Sequence, residues 1–271
     1  MTAVGAPAWT RAEAPATPGA GATLRAEWIK FWTVRSTGWS VAAMFVLGAG
    51  LTALVCALAA EDLADGATGE PVGAFVTWGM MFAQVTAIVL GTLAVTSEYG
   101  TGMIRATLAA TPKRGSVLAA KAVVLSSTLF VAGTLTAFAG YFGGNWFLEN
   151  EGIGMALSDD GVLRSMVGSG LYMAGLGLLA AAVGLLVRHT AAALSAVLAV
   201  VFVVGNMVFL LPGAWGEWIG KLMPGNAGSG IAAPVSFNPN LLDPWIGFAV
   251  FTAEVAVALL AGYVVFRRRD A

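Results

Sequence analysis

The residues of this chain that could carry chemistry are few, and their spacing removes most of the reactions they could serve. Gly168-Ser169-Gly170 offers a nucleophile, and His189 is the single histidine. The two share one apolar run and lie about 30 Å apart at 1.5 Å per helical residue. A nucleophile and its base must be within hydrogen-bond reach, so they form no dyad. Gly220-Lys221 is followed by Leu222, and no glycine stands five positions before Gly220, so it is not a phosphate-binding loop. Cys56 is the only cysteine, which excludes an internal disulfide, argues against a thiolate metal site and leaves packing as its role. No catalytic, cofactor-binding or metal-binding set emerges, and the chain is expected not to be an enzyme.

The polar residues inside apolar runs make a second group. Glu254 lies midway along its run, where a charge costs on the order of 3 kcal/mol or more, so it should face the protein interior. It reads either as a substrate-path or gating residue, or as a packing residue joined to Gln84 or to a backbone carbonyl. Thr77, Gln84 and Thr92 fall within about 80° of one another around a helix. They form a polar strip suited either to lining a path or to interhelical hydrogen bonding.

A third group lies in 97–121, SEYGTGMIRATLAATPKRGSVLAAK, a basic island between two apolar stretches. Gly100 and Gly102 should break the incoming helix, and Thr101 can cap a new one. Met103, Ile104, Thr107 and Leu108 recur on one face, and Pro112 should end the helix near Thr111. Glu98, Arg105, Lys113 and Arg114 surround this short amphipathic helix. It reads as a solvated hairpin or as a docking element.

The run Glu98-Tyr99-Gly100-Thr101-Gly102-Met103-Ile104-Arg105, continuing through Leu108 to Pro112-Lys113-Arg114 after a second apolar helix, resembles the cytosolic loop of type-2 ABC exporter permeases, particularly actinobacterial ones. That resemblance implies a coupling helix seated in a groove of a separate ABC ATP-binding subunit. Glu98, Thr101, Met103, Ile104, Arg105, Leu108 and Arg114 would be its coupling residues. ATP and Mg would be bound by the partner subunit, not by this chain. The resemblance also implies a second copy of the permease, as a homodimer, or a related permease. Thr77, Gln84 and Thr92 would then face a central path, with Glu254 a further candidate path residue.

These residues need elements to position them, and composition says which kind. The 271 residues are 58% hydrophobic and 11% charged, far from an ordinary globular domain, which indicates an integral membrane protein. Nothing suggests nucleic-acid binding. Residues 1–22 are rich in Ala, Pro and Gly and read as a disordered tail. The first apolar run starts too far in and is too long for a cleaved signal peptide. In 23–35, Leu24, Trp28, Phe31 and Trp32 cluster on one helical face, with Arg25, Glu27 and Lys30 on the others. This fits an interfacial helix lying on the bilayer, and in the resembled family an elbow helix occupies that place.

Six apolar runs follow, at 39–60, 73–96, 122–142, 165–187, 190–211 and 244–266, each long enough to cross a hydrocarbon layer of about 30 Å. Arg11, Arg25, Lys30, Arg35, Arg105, Lys113, Arg114, Lys121, Arg188 and Arg267 to Arg269 fall on one side, and only Arg164 and Lys221 on the other. The positive-inside rule makes the basic side cytosolic, with both termini there. In the fourth run, Gly170, Ala174, Gly177, Ala181 and Gly184 form a seam of small residues. Between the fifth and sixth runs, Trp215, Trp218, Ile219 and Leu222 mark a short amphipathic helix, and the rest of that connection reads as Gly- and Pro-rich loop.

The expected architecture is all-α, with six transmembrane helices in a permease domain over 23–271, an N-terminal interfacial elbow helix and a cytosolic coupling helix between the second and third spans. The expected function is the permease subunit of an ATP-driven exporter in the bacterial plasma membrane, moving a hydrophobic or amphipathic substrate such as a drug, lipid or peptide. The alternative is a stand-alone polytopic scaffold or insertion factor without an ATPase partner.

Overall fold

The computed structural model describes residues 19–268, apart from Pro112, Pro212 and Pro239. Most of the expected tail lies outside the described residues, but Ala20 to Ala22 already belong to the first helix. That helix, α1, spans Ala20–Thr33. Six helices are long and apolar enough to cross a membrane: α2 over Arg35–Ala64, α3 over Met80–Gly100, α5 over Arg114–Asn150, α6 over Val162–Val187, α7 over Thr190–Leu210 and α10 over Pro244–Arg268. Between them stand the shorter α4 (Met103–Ala110), α8 (Ala214–Leu222) and α9 (Pro224–Ser229). Six crossings place both described chain ends at one end of the bundle, here the near end. The opposite end is the far end.

The expected span boundaries shift, most of all in the second and third spans. The second span starts at Met80 instead of residue 73, because Val72–Ala74 is a 3-10 turn and further turns carry the chain to Gly79. Gly79 needs that irregular approach: its amide donates to Thr52 Oγ1 at 2.9 Å, and a Cβ there would strike the carbonyls of Leu47 and Gly48. The first span makes room with a π turn over Val46–Gly50. The third helix runs 37 residues and begins at Arg114, so Lys121 is two turns inside it and not in a loop.

α3 and α6 form the centre. The small-residue seam of α6 lets backbones meet: a Cβ on Gly91 of α3 would strike the Gly177 carbonyl, and one on Gly177 would strike Leu129 of α5. At Gly170 the obstacles are Thr134 and the Phe130 carbonyl, also of α5. The seam therefore packs inside the chain, where close approach gives α3, α5 and α6 their van der Waals contact in the absence of a hydrophobic driving force between spans. α10 flanks α6, with Phe251 and Val255 buried against it, and α2 lies along α5.

At the near end, α6 and α7 are joined by Arg188-His189 alone. Arg188 takes a left-handed backbone (φ 57°), and His189 Nδ1 accepts the Ala192 amide at 3.3 Å to cap α7. At the far end, α8 presents Trp215 and Trp218 outward, 79% and 57% exposed, as an amphipathic surface helix does. The Gly- and Pro-rich connection after it is not a loop throughout. It turns back as α9 and a 3-10 turn over Gly230–Ala232, and buries Gly225, Ala227, Gly228 and Ile231.

Candidate functional site

At the near end, four charged side chains close a ring. Lys30 Nζ lies 2.6 Å from Glu27 Oε1 and 2.8 Å from Glu98 Oε1, and Lys121 Nζ lies 2.8 Å from both Glu27 Oε2 and Glu98 Oε1. Glu27 and Glu98 are only 5% and 3% exposed, so the carboxylates depend on these lysines for their solvation. The ring is neutral as a whole, with each cation between two anions. It ties α1 to the last turn of α3 and the second turn of α5. Burial works against the Lys30 ammonium, but hydrogen bonds to Glu27 and Glu98 and their charges outweigh it and hold its pKa above the usual lysine range.

Glu98 stays within α3, which continues through Gly100 instead of breaking there, and points into the ring. Thr101 does not cap α4: its hydroxyl donates to the Ser97 carbonyl at 2.8 Å. Gly102 takes the N-cap position with φ 72°, a conformation costly for any other residue, and is the true break. Of the expected apolar footing, Ile104 is 7% exposed and Leu108 packs against the core, so both anchor α4 to its own chain. Met103, 45% exposed, and the exposed Arg105 remain on the outside. Arg114 is not on that surface either: its Nη1 donates to the carbonyls of Phe266 at 2.7 Å and Arg267 at 3.3 Å, capping the end of α10. On α1, Trp28 and Trp32 face outward with ring centroids 5.9 Å apart, Phe31 is half-buried, and Glu27 is the buried residue of the helix beside Thr23.

Toward the far end, α3, α6, α7 and α9 enclose a cavity of about 310 Å3. Thr77 and Gln84 line it, so these two expected path residues are brought together. Tyr172 of α6 donates to Gln84 Oε1 at 2.9 Å, and Gln84 Nε2 donates to the Met81 carbonyl at 2.9 Å. A π turn over Ala199–Val204 carries Val201 and Phe202 of α7 into the wall. Asn226 of α9 donates to the carbonyls of Gly205 and Gly220, both at 2.9 Å, and Arg164 of α6 donates to those of Ala233 and Pro234 at 3.1 and 3.0 Å. These bonds hold the returning segment in place.

The other two path residues lie elsewhere. Thr92 is fully buried, two turns deeper on α3, and takes no part in the cavity. Gln84 of the strip turns toward Tyr172 of α6 in the same chain, and Thr77 stands in the turns before α3. Glu254 is half-buried on α10 and is not joined to Gln84, whose side chain bonds to Tyr172 and to the Met81 carbonyl. Ser169 donates to the Ala232 carbonyl at 3.3 Å near the far end of α6, and His189 lies beyond its near end.

Glu27, Lys121, Tyr172 and Asn226 were the residues sequence reasoning passed over. Lys121 had a signal, a lone cation followed by an uninterrupted apolar helix. Glu27 had a weaker one, its i,i+3 spacing to Lys30. Tyr172 and Asn226 had none, since their partners are distant in the chain. No group of three or more His, Cys, Asp or Glu able to hold a metal occurs among the described residues. No family model matches the chain, and no curated protein matches it.

Proposed function

We propose that the chain is the permease subunit of an ATP-driven exporter of the type-2 ABC class, in the bacterial plasma membrane with both termini in the cytosol. The observation that carries this reading is α4. It is a short helix at the basic near end, anchored by Ile104 and Leu108, with Met103, Arg105 and the small Ala106 and Ala109 outward. Such a surface suits the groove of a partner subunit that binds ATP and Mg, with α1 as the elbow helix beside it. A force on α4 would enter α3 through Gly102 and spread to α1 and α5 through the ring. Glu98 and Lys121 are then internal struts, and Met103 and Arg105 are the contacting residues. A second permease copy would complete the complex, and hydrophobic or amphipathic molecules would be its cargo.

The test is site-directed cross-linking in native membranes with Cys56 replaced by Ser. Met103→Cys should give an adduct with an ATP-hydrolysing subunit, and its yield should change with nucleotide. Trp215→Cys at the far end should give none. Failure of Met103→Cys to link any such subunit would favour a stand-alone scaffold or insertion factor.

A further inference from the structure

We infer that the far-end cavity is a binding site for an uncharged amphipathic molecule that carries a hydrogen-bond donor and acceptor on an aromatic or similarly flat apolar body. Among the described residues, its wall contains no Asp, Glu, Lys, Arg or His. A bound charge would lose its hydration without gaining a counter-charge, so ions of either sign are disfavoured. The polar groups that do line the cavity have unused capacity. Gln84 spends one amide hydrogen on Met81 and one acceptor position on Tyr172, which leaves one donor and one acceptor. Asn226 spends both amide hydrogens on backbone carbonyls, which leaves its own carbonyl as an acceptor. Ser236 Oγ accepts the Asn238 amide at 3.2 Å and keeps its hydrogen.

The remainder of the wall suits a flat apolar body. Trp78, Phe202 and Phe237 supply aromatic rings, and Met80 and Met81 supply flexible thioethers that fit varied shapes. A volume of about 310 Å3, within the range of small-molecule pockets, fits a ligand of a few fused or linked rings better than a lipid with two acyl chains. The site is also built from held parts: Tyr172 is 3% exposed, and α9 is pinned by Asn226. The inference rests on the exporter reading only in taking the bound molecule as cargo. Binding itself needs neither a partner nor nucleotide.

The experiment uses the full chain in phosphatidylcholine nanodiscs, with energy transfer from tryptophan to dansyl amide as the neutral probe and dansyl sulfonate as its charged counterpart. Dansyl amide should saturate at one site per chain and bind at least about tenfold more tightly than the sulfonate. Gln84→Leu should weaken it about tenfold, the loss of one or two hydrogen bonds. Ser236→Trp, which places a large side chain in the cavity, should abolish saturable binding. Should Gln84→Leu fail to fold, the Ser236→Trp variant decides alone. Absence of saturation, equal signal from empty nanodiscs, equal affinity for the sulfonate, or unchanged binding in Ser236→Trp would each overturn the inference. None of these outcomes depends on the cross-linking result at Met103.

Discussion

Glu98 accepts both of its lysines through one oxygen, and its other oxygen is buried without a hydrogen-bond partner among the described residues. Its stability therefore depends on charge balance more than on hydrogen-bond number. Glu98→Gln would leave two ammonium groups around the single carboxylate of Glu27, and it should destabilise the protein by about 3 kcal/mol. Pairing Glu98→Leu with Lys121→Met restores neutrality around the surviving Glu27–Lys30 pair, and should cost clearly less than the two single losses added. Denaturant titrations in mixed micelles would measure both; additive losses would show that the ring is not a unit. Lys30 adds a pH dependence. Its folded pKa is raised, so its contribution is fully present below the unfolded lysine pKa of about 10.4 and is lost as pH climbs through the folded value. The melting-temperature gap between wild type and Lys30→Met should hold at neutral pH and close in strong alkali. The charges of this ring were legible in the sequence but their pairing was not, because charge type is local information and the Glu27–Lys121 contact joins residues 94 positions apart.

The short helix α4 was legible as an element, since its three- and four-residue spacing follows from the sequence. Which way that face points was not legible. An apolar face beside a membrane helix can turn to a partner or fold back, and here Val117 and Leu118 of α5 offer Ile104 a home in its own chain. The helix break was narrowed to two glycines but not to one. Gly100 is helical with open space around it, so Gly100→Ala should be neutral or slightly stabilising, whereas Gly102→Ala must adopt φ 72° and should cost about 1 kcal/mol. The seam of α6 predicts a larger effect. Gly177→Leu has Leu129 and the Ala87 carbonyl in its way and should destabilise the monomer itself by about 2 kcal/mol or more. Intact folding of that variant would contradict the packing of α3, α5 and α6. The returning α9 was the element hardest to foresee: Pro-Gly-Asn-Ala-Gly-Ser reads as turn chemistry, and only burial against α10 and α6 makes it helical.

For the molecule as a whole, hydropathy sufficed to count six membrane-crossing helices, because length and apolarity are additive along the chain. It could not give the order of burial, which places α3 and α6 at the centre and leaves α10 at the periphery. The proposed sidedness, with the basic near end in the cytosol, is open to direct measurement. With Cys56 replaced, Asp159→Cys and Trp215→Cys should react with an impermeant maleimide from outside intact cells, and Arg105→Cys only after lysis. Labelling of Arg105→Cys from outside would invert the topology. The two-residue turn between α6 and α7 has a mechanical meaning as well. A linker this short ties the near ends of both helices together, and Thr190 Oγ1 donates to Thr96 Oγ1 of α3 at 2.8 Å, so any tilt of α7 would pivot at that end. Over a helix about 30 Å long, a swing of about 5° carries its tip about 3 Å. Phe202 and Asn206, which line the cavity, stand about 18 and 24 Å along α7 at 1.5 Å per residue, so the same swing would shift them by about 2 Å against the other walls.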